Sequence, residues 1–183
     1  MRKLCLLFLL IGTYCYAGER KYTVDSPDGK IQLAIIQTDA GELTYQLSVK
    51  RKQVIDASAL GFKTEDGLTF PFRGWKMGKV TRNKVNSVWK PLWGKRAVVP
   101  DKYNEMKLSF VNEAKSSDAL EVVARAYNEG VAFRYVSPQD AGSALELTTF
   151  NFAGDYTAWF YNGERHNIGP ERLTETDGER LPV

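Results

Sequence analysis

Two glutamates in this chain follow the same dipeptide. Glu105 stands in Tyr103-Asn-Glu105 and Glu129 in Tyr127-Asn-Glu-Gly130. Paired carboxyls are the chemistry of glycoside hydrolysis, where one gives a proton to the leaving oxygen and the other acts as base or nucleophile across the scissile bond. The same residues have a plainer use. Asn-Glu and Asn-Glu-Gly mark chain reversals, since the Asn side chain bonds turn backbone and Gly accepts the φ of a tight hairpin. On that ground Asn104, Glu105, Asn128, Glu129 and Gly130 are expected to be structural turn residues, and no catalytic residue is assigned. Other acids, Glu164, Glu171, Glu175 and Glu179, crowd the C-terminal stretch in the manner of a solvated face. The single histidine, His166, lies among them. A loop histidine near two acids can serve as one ligand or one acid, although such side chains more often meet solvent. Glu164, His166 and Glu171 are therefore the candidates for substrate contact.

Other chemistries are excluded. Zinc sites need several His or Cys ligands, and both cysteines, Cys5 and Cys15, fall in an N-terminal segment expected to be removed. No metal ligand is assigned in this chain. A Ser-His-Asp triad would need His166, yet no Gly-x-Ser-x-Gly elbow exists; a phosphate-binding loop and a dinucleotide fingerprint are also missing.

The N-terminus reads as an export signal. Arg2 and Lys3 precede an uncharged apolar run, residues 4–11, and Cys15-Tyr-Ala17 supplies small residues for cleavage after Ala17. The run is shorter than the roughly 20 residues of a membrane span, so residues 1–17 are expected to be a signal peptide and residues 18–183 one exported domain, periplasmic or secreted, with no membrane attachment after cleavage. Without cysteines, that domain must be held by its apolar core.

Charge points away from nucleic acid. Lys and Arg number 25 against 22 Asp and Glu, and signal cleavage removes two of the cations. Lys50-Arg-Lys52 is a short basic cluster on an expected turn, without aromatic interleaving. Four Trp, nine Tyr and nine Phe suit a β-rich core, and they also suit a surface that stacks on sugar rings.

The elements that position these residues are extended. Leu43, Tyr45, Leu47 and Val49 alternate with polar residues, as do Met106, Leu108 and Phe110, and Leu120, Val122, Ala124 and Ala126. Strands are expected over residues 21–25, 31–37, 43–49, 54–63, 75–82, 87–89, 104–112, 120–126, 131–135, 145–149 and 158–161. Residues 64–73 read as a loop and 94–101 as irregular or at a sheet edge. Arg134, within Val131-Ala-Phe-Arg-Tyr135, should face away from Phe133 and Tyr135, where it could meet Glu121 or Glu129 on a neighbouring strand or pair with an acid across an interface. No window shows a helical apolar period. Strands at about ten-residue spacing with turn residues between them argue an all-β sandwich or barrel.

Several of these pieces, in order, resemble the N-terminal domain of glycoside hydrolase family 97, bacterial α-glucosidases and α-galactosidases. They are Val24-Asp-Ser-Pro-Asp-Gly-Lys-Ile31, Leu43-Thr-Tyr45, Ser58-Ala-Leu-Gly-Phe62, Trp93-Gly94, Tyr103-Asn-Glu105 and Ala126-Tyr-Asn-Glu-Gly-Val-Ala-Phe-Arg-Tyr135. The resemblance implies a large antiparallel β-super-sandwich similar to the galactose mutarotase-like fold, here incomplete at its C-terminal end. It implies a calcium-dependent α-glycosidase whose catalytic carboxylates belong to a (β/α)8 barrel absent from this chain. That barrel would take the oligo- or polysaccharide substrate. Calcium is implied for the full-length enzyme, with none held by this chain alone. A stand-alone carbohydrate-binding sandwich is the alternative that the residues leave open.

Overall fold

The structure is a computed structural model, and it describes residues 19–65, 67, 69–71, 75–113, 119–137, 142–161 and 167–176. The expected signal peptide, Glu164, His166 and Glu179 lie outside the described residues. Among the described residues there is no α-helix, and none long and apolar enough to cross a membrane.

The first sheet is an antiparallel meander of β1 (Arg20–Asp25), β2 (Ile31–Gln37), β3 (Leu43–Val49) and β4 (Lys52–Leu60), side by side in chain order. Its turns follow local chemistry. Gly29 adopts φ +70° between β1 and β2, and Lys50 and Arg51 both take positive φ in the two-residue link from β3 to β4. Next come β5 (Phe62–Thr64) and β6 (Thr69–Phe70), then the long hairpin of β7 (Trp75–Trp89) and β8 (Val99–Asn112), then β9 (Ala119–Tyr127) and β10 (Val131–Val136). The last four form the second sheet in the order β10-β9-β8-β7. β11 (Ala144–Glu146) completes a small sheet with β5 and β6, while β12 (Thr157–Tyr161) and β13 (Asn167–Arg172) pair as a hairpin.

Alternation decides which side chains meet. The register Val24↔Leu33, Leu33↔Leu47 and Ile35↔Tyr45 puts these residues on one face of the first sheet. In the second sheet Met106↔Ala124, Leu108↔Val122 and Phe110↔Leu120 share a face. The two faces close on one core, and each fully buried large apolar side chain contributes about 1.5–3 kcal/mol. Phe70 sits at its centre, edge-on to Trp75 and Phe110 at 5.2 and 5.3 Å between ring centroids. The architecture is thus an all-β antiparallel sandwich.

Four sequence expectations need correction. Residues 64–73 are not wholly a loop, because Thr69–Phe70 pairs with β5 and carries Phe70 into the core. The two strand pieces at 75–82 and 87–89 are one continuous strand; the largely polar interval between them, Asn83-Lys-Val-Asn86, is extended because β8 pairs with it throughout. The expected strand at 145–149 is regular only over Ala144–Glu146. Beyond it Leu147, Thr149 and Ala153 donate backbone N–H groups to carbonyls of Gly61, Ala59 and Val54, so an irregular segment covers the edge of β4. Finally, Asn104 and Glu105 are not turn residues. They lie inside β8, opposite Lys84 and Asn83 on one side and Ala126 and Arg125 on the other. Cross-strand partners outweigh the local turn preference of Asn.

The family-like stretch Ser58-Ala-Leu-Gly61 has a mechanical reading. The fully buried Ser58 hydroxyl donates to the carbonyl of Asp56 at 2.8 Å and accepts from the N–H of Asn151 at 2.9 Å. A Cβ on Gly61 would lie 2.5 Å from the carbonyl oxygen of Phe70, so only glycine lets that strand approach.

Candidate functional site

Three sequence motifs converge at one end of the sandwich. The first is the turn Ser26-Pro-Asp-Gly29. Its backbone closes through the N–H of Gly29 donating to Ser26 O at 2.9 Å and the N–H of Ser26 donating to Ile31 O at 2.7 Å. Its side chains reinforce this: Ser26 Oγ donates to Asp28 Oδ1 at 2.7 Å, and the N–H of Lys30 donates to the same oxygen at 3.1 Å. Lys30 Nζ lies 2.9 Å from Asp28 Oδ2. The Ser26 hydroxyl first, then Lys30, hold the Asp28 carboxyl down at about 2.

The other two motifs are the Tyr-Asn repeats. Asn104 Nδ2 donates to the carbonyl of Asp25 at 2.7 Å, and the N–H of Asp28 donates to Asn128 Oδ1 at 3.0 Å. Both asparagines therefore grip the β1–β2 turn, one from strand β8 and one from the β9–β10 connection at Asn128, Glu129 and Gly130. Arg82 Nη1 adds a bond to the carbonyl of Thr23 at 2.5 Å. β1 is an edge strand, and these donors occupy carbonyls that would otherwise face solvent along that edge. Behind the latch, Tyr103 and Tyr127 are direct cross-strand partners with ring centroids 5.0 Å apart. Arg125 lies over the Tyr103 ring at 4.3 Å and donates through Nε to Glu105 Oε2 at 2.7 Å. Its guanidinium is held more firmly protonated by that carboxylate.

The latch borders an open polar cleft of about 660 Å³, whose walls include Asp25, Ser26, Arg82, Lys84, Asn104 and Glu105. Charged side chains along it are engaged within the fold. The Glu105 carboxylate is clamped to Arg125, Asp28 to Ser26 and Lys30, and Arg82 is bonded to backbone. A glycosidase pair instead needs two carboxyls facing across a substrate-sized gap. Among the described residues no group of three or more His, Cys, Asp or Glu side chains is placed to hold a metal ion.

The remaining candidates fall apart in space or outside the description. Glu171 is half-buried on β13, opposite Ala158, while Glu164 and His166 lie outside the described residues. Glu129 is exposed at the hairpin turn. Arg134 is exposed beside Val123, and Glu121 pairs instead with Lys107 at 3.0 Å. In this sheet Arg125, one strand away, is the arginine that meets a carboxylate among the described residues, through Glu105. Its signal was available: Glu105 and Arg125 are both outward-facing members of alternating strands, and opposite charges there stabilise a pair of strands.

Comparison with known proteins follows the same motifs. Residues 24–181 match the glycosyl-hydrolase 97 N-terminal family. The chain is 23% identical to a retaining alpha-galactosidase of Bacteroides thetaiotaomicron over 99% of its own length and 29% of that protein. It is 29% identical to a probable retaining alpha-galactosidase of Streptomyces bingchenggensis, over 87% of the chain and 26% of that protein. Among solved structures, a glycoside hydrolase family 97 enzyme of Pseudoalteromonas sp. strain K8 in complex with panose superposes with a TM-score of 0.66 and 34% identity, over 76% of this chain and 22% of that one. A beta-arabinopyranosidase superposes with a TM-score of 0.65 and 27% identity, over the same shares. The chain thus spans between a fifth and a third of each relative. Its motifs, its fold and this match agree, and the chain belongs to the glycosyl-hydrolase 97 N-terminal family.

Proposed function

We propose that this chain is the non-catalytic N-terminal domain of an exported, calcium-dependent α-glycosidase that removes terminal α-linked glucose or galactose from oligo- or polysaccharides. The domain braces the catalytic unit. The catalytic carboxylates belong to a (β/α)8 barrel elsewhere in a longer polypeptide, and carboxylates of both domains would share the calcium. Calcium there would stabilise charge developing on the reacting oxygens.

One observation carries this reading. The N-terminal family match runs from residue 24 to residue 181, while the same chain spans 29% and 26% of two α-galactosidases. The site supports it, because the acids brought together at the latch are engaged in holding backbone and neighbouring cations.

The test is hydrolysis of p-nitrophenyl α-galactoside and α-glucoside by residues 18–183 with calcium present. The expected result is no turnover above buffer. Turnover by this chain alone overturns the proposal, and tight oligosaccharide binding by the chain alone would favour the stand-alone binding module. Mass spectrometry of the exported protein should give an N-terminus at Gly18.

A further inference from the structure

The hairpin of β7 and β8 is longer than the sheet that holds it. β9 pairs with β8 only from Tyr103 to Val111. Beyond that, Asn86↔Lys102, Ser87↔Asp101, Val88↔Pro100 and Trp89↔Val99 pair with one another and, among the described residues, with no third strand. Residues 86–102 thus form a two-stranded ribbon overhanging the sandwich. Such a ribbon has little stability of its own in water. Its tip is nonetheless apolar: Leu92 is 99% exposed and Trp93 87%, with Val88, Trp89 and Val98 exposed beside them. A contiguous apolar patch of this kind marks a contact surface.

Two occupants are chemically distinct. A sugar needs a flat ring together with carboxylate or amide groups for its hydroxyls. The hollow of about 450 Å³ at the tip is lined by Trp89, Lys90, Pro91, Leu92 and Trp93, which supply no such acceptor side chain. Leucine and valine suit protein packing instead. The ribbon also carries Lys90, Lys95, Arg96 and Lys102 against one acid, Asp101, so an acidic rim around an apolar face complements it. The relatives are several times longer than this chain, which supplies a covering polypeptide.

We propose that residues 86–102 are a docking arm, with Leu92 and Trp93 as anchors, that inserts into an apolar, acid-rimmed face of the companion domain. The inference rests on the reading that this chain is one part of a longer glycosidase. It goes further by naming the arm and the chemistry of its receptor.

Hydroxyl-radical footprinting of Trp89 and Trp93 tests it, on this chain alone and on the longer polypeptide, without sugar. In the chain alone both indoles should be modified rapidly. In the longer polypeptide Trp93 modification should slow by about tenfold, as expected for an anchor from which water is excluded. The Leu92→Asp variant should restore it, with the far-ultraviolet spectrum of the chain unchanged. Equal modification in both contexts overturns the arm. Protection that requires added oligosaccharide overturns it in favour of a sugar contact, and protection of the isolated chain that grows with concentration overturns it in favour of self-association. Hydrolysis is read separately. A longer polypeptide that protects Trp93 but cleaves no α-glycoside sinks the glycosidase reading and upholds the arm, whereas one that cleaves and leaves Trp93 reactive does the reverse.

Discussion

The two ends of the β7–β8 hairpin carry similar residues and meet opposite fates. At the base, Met106, Leu108 and Phe110 are sealed beneath the first sheet, with β9 as a third strand. At the tip, Val88, Trp89, Leu92 and Trp93 are open to water. The difference is neither composition nor strand propensity. It is whether a second layer stands opposite. An apolar side chain stabilises the fold only where something removes it from water, so the same side-chain types act as core at one end and as unspent contact surface at the other.

The largest expected effect breaks that comparison along the hairpin itself. Phe110→Ala in the chain alone should cost about 3–5 kcal/mol, because it empties a packed site beside Phe70. Trp93→Ala should shift stability by less than about 0.5 kcal/mol, since the side chain touches little. Urea unfolding followed by far-ultraviolet circular dichroism measures both. A loss at Trp93 comparable to that at Phe110 would mean the tip folds back onto the sandwich.

Much of this was legible in the sequence. The meander over 20–60 and the strands around Leu108, Val122 and Phe133 follow from period-two alternation, and the Asn128-Glu-Gly130 connection from turn chemistry. Asn104 and Glu105 were not legible in the same way, because their partners Asp25 and Arg125 are distant in sequence. Phe70 was hidden for a similar reason, since two strand residues in a polar stretch leave no period to read. The overhang was invisible because sequence shows a strand's length and not how many neighbours it has. The Tyr-Asn repeats stand out in the sequence, yet their common task lies in both asparagines facing the same turn, which only the fold sets.

The latch is the next comparison to sharpen. Asn104 and Asn128 hold the β1–β2 turn from different places, and their burial differs. Asn104 is half-buried within β8, so Asn104→Ala leaves the Asp25 carbonyl without that donor and should cost about 1–2 kcal/mol. Asn128 is exposed, water replaces it readily, and Asn128→Ala should cost about 0.5–1 kcal/mol. Because both act on one turn, the double variant should lose less or more than the summed singles, whereas strict additivity would mean that they act independently. Unfolding midpoints of the three variants decide the point.

The smallest effect separates the turn's own electrostatics from the latch that grips it. The Asp28 carboxyl is depressed to about 2 from 3.8 by the Ser26 hydroxyl and by Lys30. A carboxyl whose folded value is lowered stabilises the fold while ionised, so its contribution is complete above its ordinary value and fades as pH falls through about 2. Asp28→Asn removes that titration. The bond from the Asp28 N–H to Asn128 is made by the backbone and survives the change. The stability difference between native chain and variant should therefore be present at pH 5 and shrink toward pH 2. It should remain small throughout, because the ion pair with Lys30 is solvent-exposed. In the same titration an Asn128→Ala background should shift the whole curve without changing its slope, since no proton is exchanged at that bond. A slope that changes in that background would mean the latch alters the Asp28 environment, and the turn and its grip would then have to be treated as one device.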